Sequence, residues 1–204
     1  MWKKVELKPK EGLFLMNNGL YIYPDKNISK EDRDKIIGYC LDNYKVMSIN
    51  SDKNSISWST RHDKIPGLID YECDYESTEP YRDLDGEYNT RCIIEFCKKN
   101  NINLQNDYRA FYYCTSYSPG YKDGEWYLPS MGELKLFYDN RKKFRKSCDL
   151  IGLETNMNSD LFGDFWSSTE CSDNYAWFLC SNLSSPSYYL GKIICRYVVP
   201  FLKM

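Results

Sequence analysis

The side chains that could do chemistry in this sequence are few, and their spacing suits catalysis poorly. His62 is the only imidazole, so any serine or cysteine nucleophile activated by a histidine base has to be built on it. It stands in Arg61-His62-Asp63-Lys64, the setting of an exposed loop histidine. The acid pairs Asp83/Asp85 and Asp70/Glu72 have the residue type to flank a sugar bond, yet they fall in an acidic stretch where solvated carboxylates are the norm. Asp83-Leu84-Asp85-Gly86-Glu87 alternates oxygen ligands ahead of a glycine, a calcium-like pattern without the spacing of a full EF-hand loop. There is no phosphate loop, no dinucleotide glycine fingerprint, no His-Glu-x-x-His and no Gly-x-Ser-x-Gly. The nine cysteines form no Cys-x-x-Cys pair, and Cys92 and Cys97 are poorly spaced as ligands on a helix, so zinc is not expected. They are expected to be reduced and mostly buried thiols. No catalytic residue, metal or cofactor is predicted.

The chemistry that remains is recognition. From Glu170 to Leu190 the chain reads Cys171-Ser172-Asp173-Asn174-Tyr175 and then Ser181-Asn182-Leu183-Ser184-Ser185-Pro186-Ser187-Tyr188-Tyr189. Tyr, Ser and Asn together combine rigid aromatic area with small, adaptable hydrogen-bonding groups. The candidate binding residues are Glu170, Ser172, Asp173, Asn174, Tyr175, Trp177, Ser181, Asn182, Ser184, Ser185, Tyr188 and Tyr189. An ordinary hairpin loop rich in turn formers has the same composition.

Short strands and three helices have to position that stretch. Leu13–Met16 and Leu20–Tyr23 flank Asn17-Asn18-Gly19, a hairpin signal because Asn-Gly tolerates positive φ. Asp25–Lys35 reads as a solvated loop or helical turn, Ile36–Leu41 and Tyr44–Ile49 as strands, and Ser55–Ser59 as a further one. Asp63–Glu87 has the Pro, Gly and acidic content of a loop with few core contacts. One helix starts at Asn89 or Thr90 and stops at Lys98–Asn101; a second is capped by Asp107 and runs to Cys114. The third has the clearest start: Ser130 at the N-cap and Glu133 three residues on make a capping box. Trp126 and Leu128 are expected to pack under it. Strands return at Phe165–Ser168, Tyr175–Leu179, Ser187–Leu190 and Ile193–Val199, with Trp166 and Trp177 on adjacent strands. Arg196 is expected to pair with Glu133 or Glu170 as a structural clamp. Strands, then helices, then strands argue for one α+β domain: N-terminal strands over 1–60, an acidic loop over 61–88, a helical part over 89–145 and C-terminal strands over 160–204.

Four sequence blocks carry a resemblance. They are Asp85-Gly86-x-x-Asn89-Thr90, Glu125-Trp126-Tyr127-Leu128-Pro129-Ser130-Met131-Gly132-Glu133-Leu134, Phe165-Trp166-Ser167-Ser168-Thr169-Glu170 and Asn174-Tyr175-Ala176-Trp177, closed by Arg196–Phe201. In this order the chain resembles the Lcl C-terminal-like domain family, which is similar in fold to C-type lectins and to formylglycine-generating enzymes. The resemblance covers about three quarters of the chain and implies a C-type lectin-like fold with short antiparallel strands and two to three helices. It also implies that the segment near the C-terminus forms an exposed ligand face. The sugar-binding words Glu-Pro-Asn, Gln-Pro-Asp and Trp-Asn-Asp are absent, so calcium-held sugar is not implied. Cys171, Cys180 and Cys195 do not map onto the oxidase cysteine pair.

Charge and composition narrow the partners. Twenty-seven Lys and Arg against 29 Asp and Glu leave a net charge of −2, which argues against nucleic acid as the main ligand. No stretch has the roughly 20 apolar residues of a membrane helix, and Met1–Pro9 lacks the apolar run of a secretory signal. The expectation is a non-catalytic recognition protein of a bacteriophage virion, made in a bacterial cytoplasm and carried in a head or tail fibre. Its partners are expected to be other virion proteins and a host-surface glycan or protein, and the chain to act as an oligomer or assembly component. The alternatives are a bacterial cell-surface adhesin module and a formylglycine-generating-enzyme-like oxidoreductase.

Overall fold

The computed structural model describes residues 5–52, 54–74, 77–157, 163–180 and 187–204, without the side chains of Val5 and Ser187. In chain order the elements are β1 Val5–Glu6, β2 Phe14–Met16, β3 Tyr21–Ile22, α1 Lys30–Arg33, β4 Ile36–Cys40, β5 Lys45–Ser48 and β6 Ile56–Ser57. A 3-10 turn at Glu79–Arg82 leads to α2 Gly86–Asn100, α3 Leu104–Asp107, α4 Arg109–Thr115 and α5 Met131–Ile151. The chain closes with β7 Phe165–Glu170, β8 Tyr175–Leu179, β9 Ser187–Gly191, β10 Cys195–Arg196 and β11 Phe201–Lys203. The mixed α+β class is as expected.

Antiparallel pairing builds a six-stranded sheet in the order β1-β3-β2-β4-β5-β11, a three-stranded sheet β7-β8-β9 and a small β6-β10 pair. The Asn17-Asn18-Gly19 hairpin forms, with Gly19 at φ 81°. Because strand side chains alternate, one face of the large sheet sends Phe14, Tyr39 and Met47 against Phe137 and Phe144 of α5. Its other face sends Leu15, Cys40 and Val46 against Trp126. A second core joins Trp58, Ile93, Phe111, Leu128, Trp166 and Phe178.

The helix expectations hold in outline and change at the ends. α5 begins at the Ser130/Glu133 capping box and ends in a left-handed Gly152. α2 starts earlier than Asn89, at Gly86 with Asp85 as the capping side chain, and stops at a left-handed Asn101. Asp107 does not cap α4; it is the last residue of α3, and Tyr108 stands at the cap of α4 without a side-chain bond. Trp126 does not lie under α5 but packs edge-on against Tyr117, with ring centres 5.1 Å apart.

The 63–87 stretch is not a loop with few core contacts. Ile65 and Pro80 are buried, and Tyr71, Cys73 and Tyr81 pack against the main core. The turn at Tyr81–Asp83 lies so close to α5 that a Cβ on Gly132 would collide with the carbonyls of Tyr81 and Asp83. Cys73 is disulfide-bonded to Cys171, with Cα atoms 5.5 Å apart, so these two are not the reduced thiols expected; Cys40, Cys92, Cys97, Cys114, Cys148 and Cys180 are buried, and Cys195 is exposed.

Three of the four sequence blocks, those holding Gly86, Glu133 and Thr169, converge on one buried polar knot. Glu133, 2% exposed, accepts from Tyr127 Oη–H at 2.8 Å, from the N–H of Ser130 at 2.8 Å and from that of Gly86 at 3.2 Å. Lys45 completes its shell as the ion-pair partner. Asp83 ties in the rest: its Oδ2 accepts from Asn89 at 2.7 Å and Thr169 at 2.8 Å, and its carbonyl accepts from Ser130 Oγ–H at 2.8 Å. The N–H of Ser168 donates to Pro129 O at 2.7 Å. Arg196 takes no part; it pairs with Asp164 at 3.3 Å and lies over Phe178, on a strand whose partner is β6.

Removing one partner of a buried pair leaves an uncompensated charge, which costs about 3–5 kcal/mol. Lys45→Met is therefore expected to lose that amount in urea unfolding, and a loss below about 1 kcal/mol would contradict the assigned role. Asp52 gives a pH test. Burial pushes its carboxyl up despite the Val198 N–H it accepts. The stability contributed by its protonated form is present below the unfolded value of about 3.9 and is lost as pH rises through the folded value. Asp52→Asn should therefore gain on the wild type as pH rises above about 4; a constant offset counts against this.

Candidate functional site

The expected binding stretch lies on β8, β9 and the turns at their ends. In β8, Trp177 and Leu179 enter the main core while Ala176 and Phe178 enter the second, so both faces of this strand are covered. Trp177 is fully buried and its indole N–H donates to Tyr71 O at 3.4 Å. Tyr188 stacks on Phe178 and Tyr189 on Trp177, at 6.2 Å and 5.5 Å between ring centres. Glu170 is 1% exposed. Two expected ligand contacts are therefore corrected, since Glu170 and Trp177 are interior; Tyr188 and Tyr189 are half-buried. Ser181, Asn182, Ser184 and Ser185 lie outside the described residues.

Ser172, Asp173, Asn174 and Tyr175 do reach the surface, and the fold brings a second turn beside them. Tyr175 pairs with Gly191 across the strands, and the N–H of Lys192 donates to Asn174 O at 3.0 Å. This places Ile193 and Ile194 at the rim next to Tyr175, with exposures of 55%, 40% and 44%. Ile193 and Ile194 were expected inside a strand reaching Val199; that strand is broken, because the Gly191–Ile194 turn intervenes and β10 holds only Cys195 and Arg196. Only the Gly191-Lys192 pair before them hints at a turn in the sequence.

The rim is held from beneath. Ser172 Oγ accepts the N–H groups of Asn174 at 3.2 Å and Tyr175 at 3.3 Å, fixing the turn by a side-chain oxygen. Tyr175 stacks edge-on against Tyr189 at 5.7 Å. Lys192 is fully buried, ion-paired with Glu170, 3.2 Å from Asp63 O and 4.6 Å above the Trp58 ring centre. Burial pushes the Lys192 amine down and the Glu170 carboxyl up from their usual values, opposed in each case by the other's charge. The Cys73–Cys171 bond anchors the start of the same turn.

This arrangement has the attributes of a small contact surface: rigid aromatic and aliphatic area flanked by Asp173 and Asn174. His62 is exposed on the 61–64 segment. Two clefts, of about 200 Å³ beside Thr90, Arg91 and Lys203 and about 630 Å³ beside Lys8, Tyr44 and Met204, contain none of the expected site residues. Among the described residues no three His, Cys, Asp or Glu side chains are placed to hold a metal ion.

No family model matches the chain, and no curated protein does. Among solved structures it is similar to a fimbrial protein from Bacteroides ovatus ATCC 8483, with a TM-score of 0.65 at 14% identity over 96% of this chain. The match takes in 49% of that protein, so this chain spans about half its length. At that identity the likeness is one of fold.

The disulfide closes a loop of 98 residues, for which chain entropy predicts about 4–5 kcal/mol of stabilisation. Peptide mapping without reductant should recover Cys73 linked to Cys171, and Cys73→Ser should lower the unfolding midpoint in urea. Free thiols at both positions, or an unchanged midpoint, would refute the cross-link as an anchor.

Proposed function

We propose that this chain is a non-catalytic recognition module of a bacterial cell-surface structure, with Ser172–Tyr175, Ile193 and Ile194 as its contact rim. The observation that carries the reading is the rim itself: exposed Tyr and Ile on two abutting turns, preorganised over a buried Lys192–Glu170 pair and a disulfide. Preorganisation lowers the ordering cost of binding. The similarity in fold to a fimbrial protein supports the location, as does the disulfide, since such bonds persist in oxidising compartments. Within this proposal the C-type lectin-like, Lcl C-terminal-like relationship is supported by the way three of its sequence blocks meet around Glu133 and Asp83. A glycan or protein on another surface is the ligand class that a shallow Tyr-bearing rim suits.

An oxidoreductase reading needs a reactive thiol. Burial instead pushes Cys40 and Cys148 up to about 12 and Cys97 up to about 11, which leaves these sulfurs protonated and inert at neutral pH. The virion location has no feature of the fold in its favour and is the alternative outcome of the localisation test. Immunogold labelling of intact cells should decorate the surface, while label found only on released phage particles would replace the cell-surface reading by the virion one.

The rim is tested by binding. On arrayed surface glycans and on immobilised host cells, Tyr175→Ala and Ile194→Ser should each weaken binding by about tenfold, the 1.4 kcal/mol expected for losing one anchor, with unfolding midpoints unchanged. Wild-type affinity in both variants would remove the rim from the proposal.

A further inference from the structure

Charge is segregated along this chain in a way its net value of −2 conceals. Between Asp70 and Glu87 the sequence has eight carboxylates and a single cation, Arg82. Asp70, Glu72, Asp74, Glu79, Asp85 and Glu87 are exposed. On α5, Arg141, Lys142, Lys143, Arg145 and Lys146 follow one another with only Phe144 among them. Phe144 points into the core, while Lys142, Lys143 and Lys146 are exposed.

The two regions lie at different levels of one rigid rod. The acidic segment docks on the first turns of α5, where Gly132 meets Tyr81 and Asp83 and Lys135 lies 5.9 Å over the Tyr81 ring. At 1.5 Å rise per residue, Lys142 to Lys146 lie roughly 15–20 Å further along. Both regions also expose isolated aliphatic side chains: Ile69 at 67% and Leu84 at 63% on the acidic side, Leu150 at 49% one turn beyond Lys146. Interface cores are depleted in Lys, Asp and Glu, so in a contact between these regions the aliphatic side chains form the centre and the charges the rim.

We propose that a second copy of this chain docks here, the acidic surface of residues 70–74 and 79–87 of one copy meeting the basic Arg141–Lys146 stripe of the next. The two surfaces differ, so the contact is heterologous and a pair of copies leaves one surface of each kind unused. Such a contact repeats, closing into a ring or extending as a fibre. Opposite charge sets orientation and speeds encounter, and the aliphatic residues supply contact that salt does not screen. The surfaces do not include the Tyr175 rim, so self-association and ligand binding stand or fall separately.

The test uses the full chain in a Cys195→Ser background, which removes the one exposed thiol as a source of intermolecular disulfides. Sedimentation velocity at about 0.05 M salt should show mass increasing with protein concentration and decreasing as salt is raised. Two charge reversals, Lys142→Glu with Lys146→Glu and Glu72→Lys with Asp74→Lys, should each leave a monomer. The two retained native surfaces are complementary, so mixing the two should restore association with the variants in one-to-one ratio, which also shows that both variants are folded. A wild type that stays monomeric at every concentration and salt overturns the proposal. So does self-association untouched by either reversal, or a mixture of variants that remains monomeric.

Discussion

One buried carboxylate organises this fold. Glu133 is expensive to take out of water, and three separate parts of the chain are needed to satisfy it: Lys45, the Gly86 amide, and Tyr127 and Ser130 at the start of its own helix. Burial pushes its carboxyl up, opposed first by the charge of Lys45. None of these donors is near another in sequence except through the α5 start, so the carboxylate can be satisfied only when β5, α2 and α5 have assembled. A buried polar group with this many obligatory partners costs most when the assembly is wrong, which favours one arrangement over its alternatives.

A second ion pair repeats the device where recognition is proposed. Lys192 and Glu170 are both fully buried, and the lysine lies in the turn whose neighbours, Ile193 and Ile194, are exposed. A turn tip normally moves freely because little holds it. Here the residue at its centre is pulled inward onto Trp58 and Asp63, and the facing turn is bonded to Cys73. The surface residues inherit a position they could not hold by themselves. The sheet beneath them is covered on both faces, which is why the contact area is a rim and not a strand face.

The long acidic stretch has two roles that its composition does not separate. Asp83 and Gly86 are structural, one bonded to Asn89 and Thr169 and the other packed where a Cβ would be 2.5 Å from Leu128 O. Their neighbours Glu72 and Asp74 are exposed. Local sequence looks the same in both cases; only depth distinguishes them.

The sequence alone determined what local rules govern: the Asn17-Asn18-Gly19 hairpin, the capping box of α5, the α+β class and the placement of Trp166 and Trp177 on adjacent strands. These depend on φ preference, side-chain reach over three residues and side-chain periodicity, all readable within a short window. Tertiary structure decided everything that depends on burial. It took Glu170 and Trp177 out of the expected binding face, and brought Ile193 and Ile194 into it by breaking a strand at Gly191. It paired Cys73 with Cys171 across 98 residues and gave Glu133 and Glu170 to lysines, not to Arg196. The reason is the same throughout: whether a side chain meets solvent, core or a distant partner is fixed by elements far apart in sequence, and no local pattern encodes that distance.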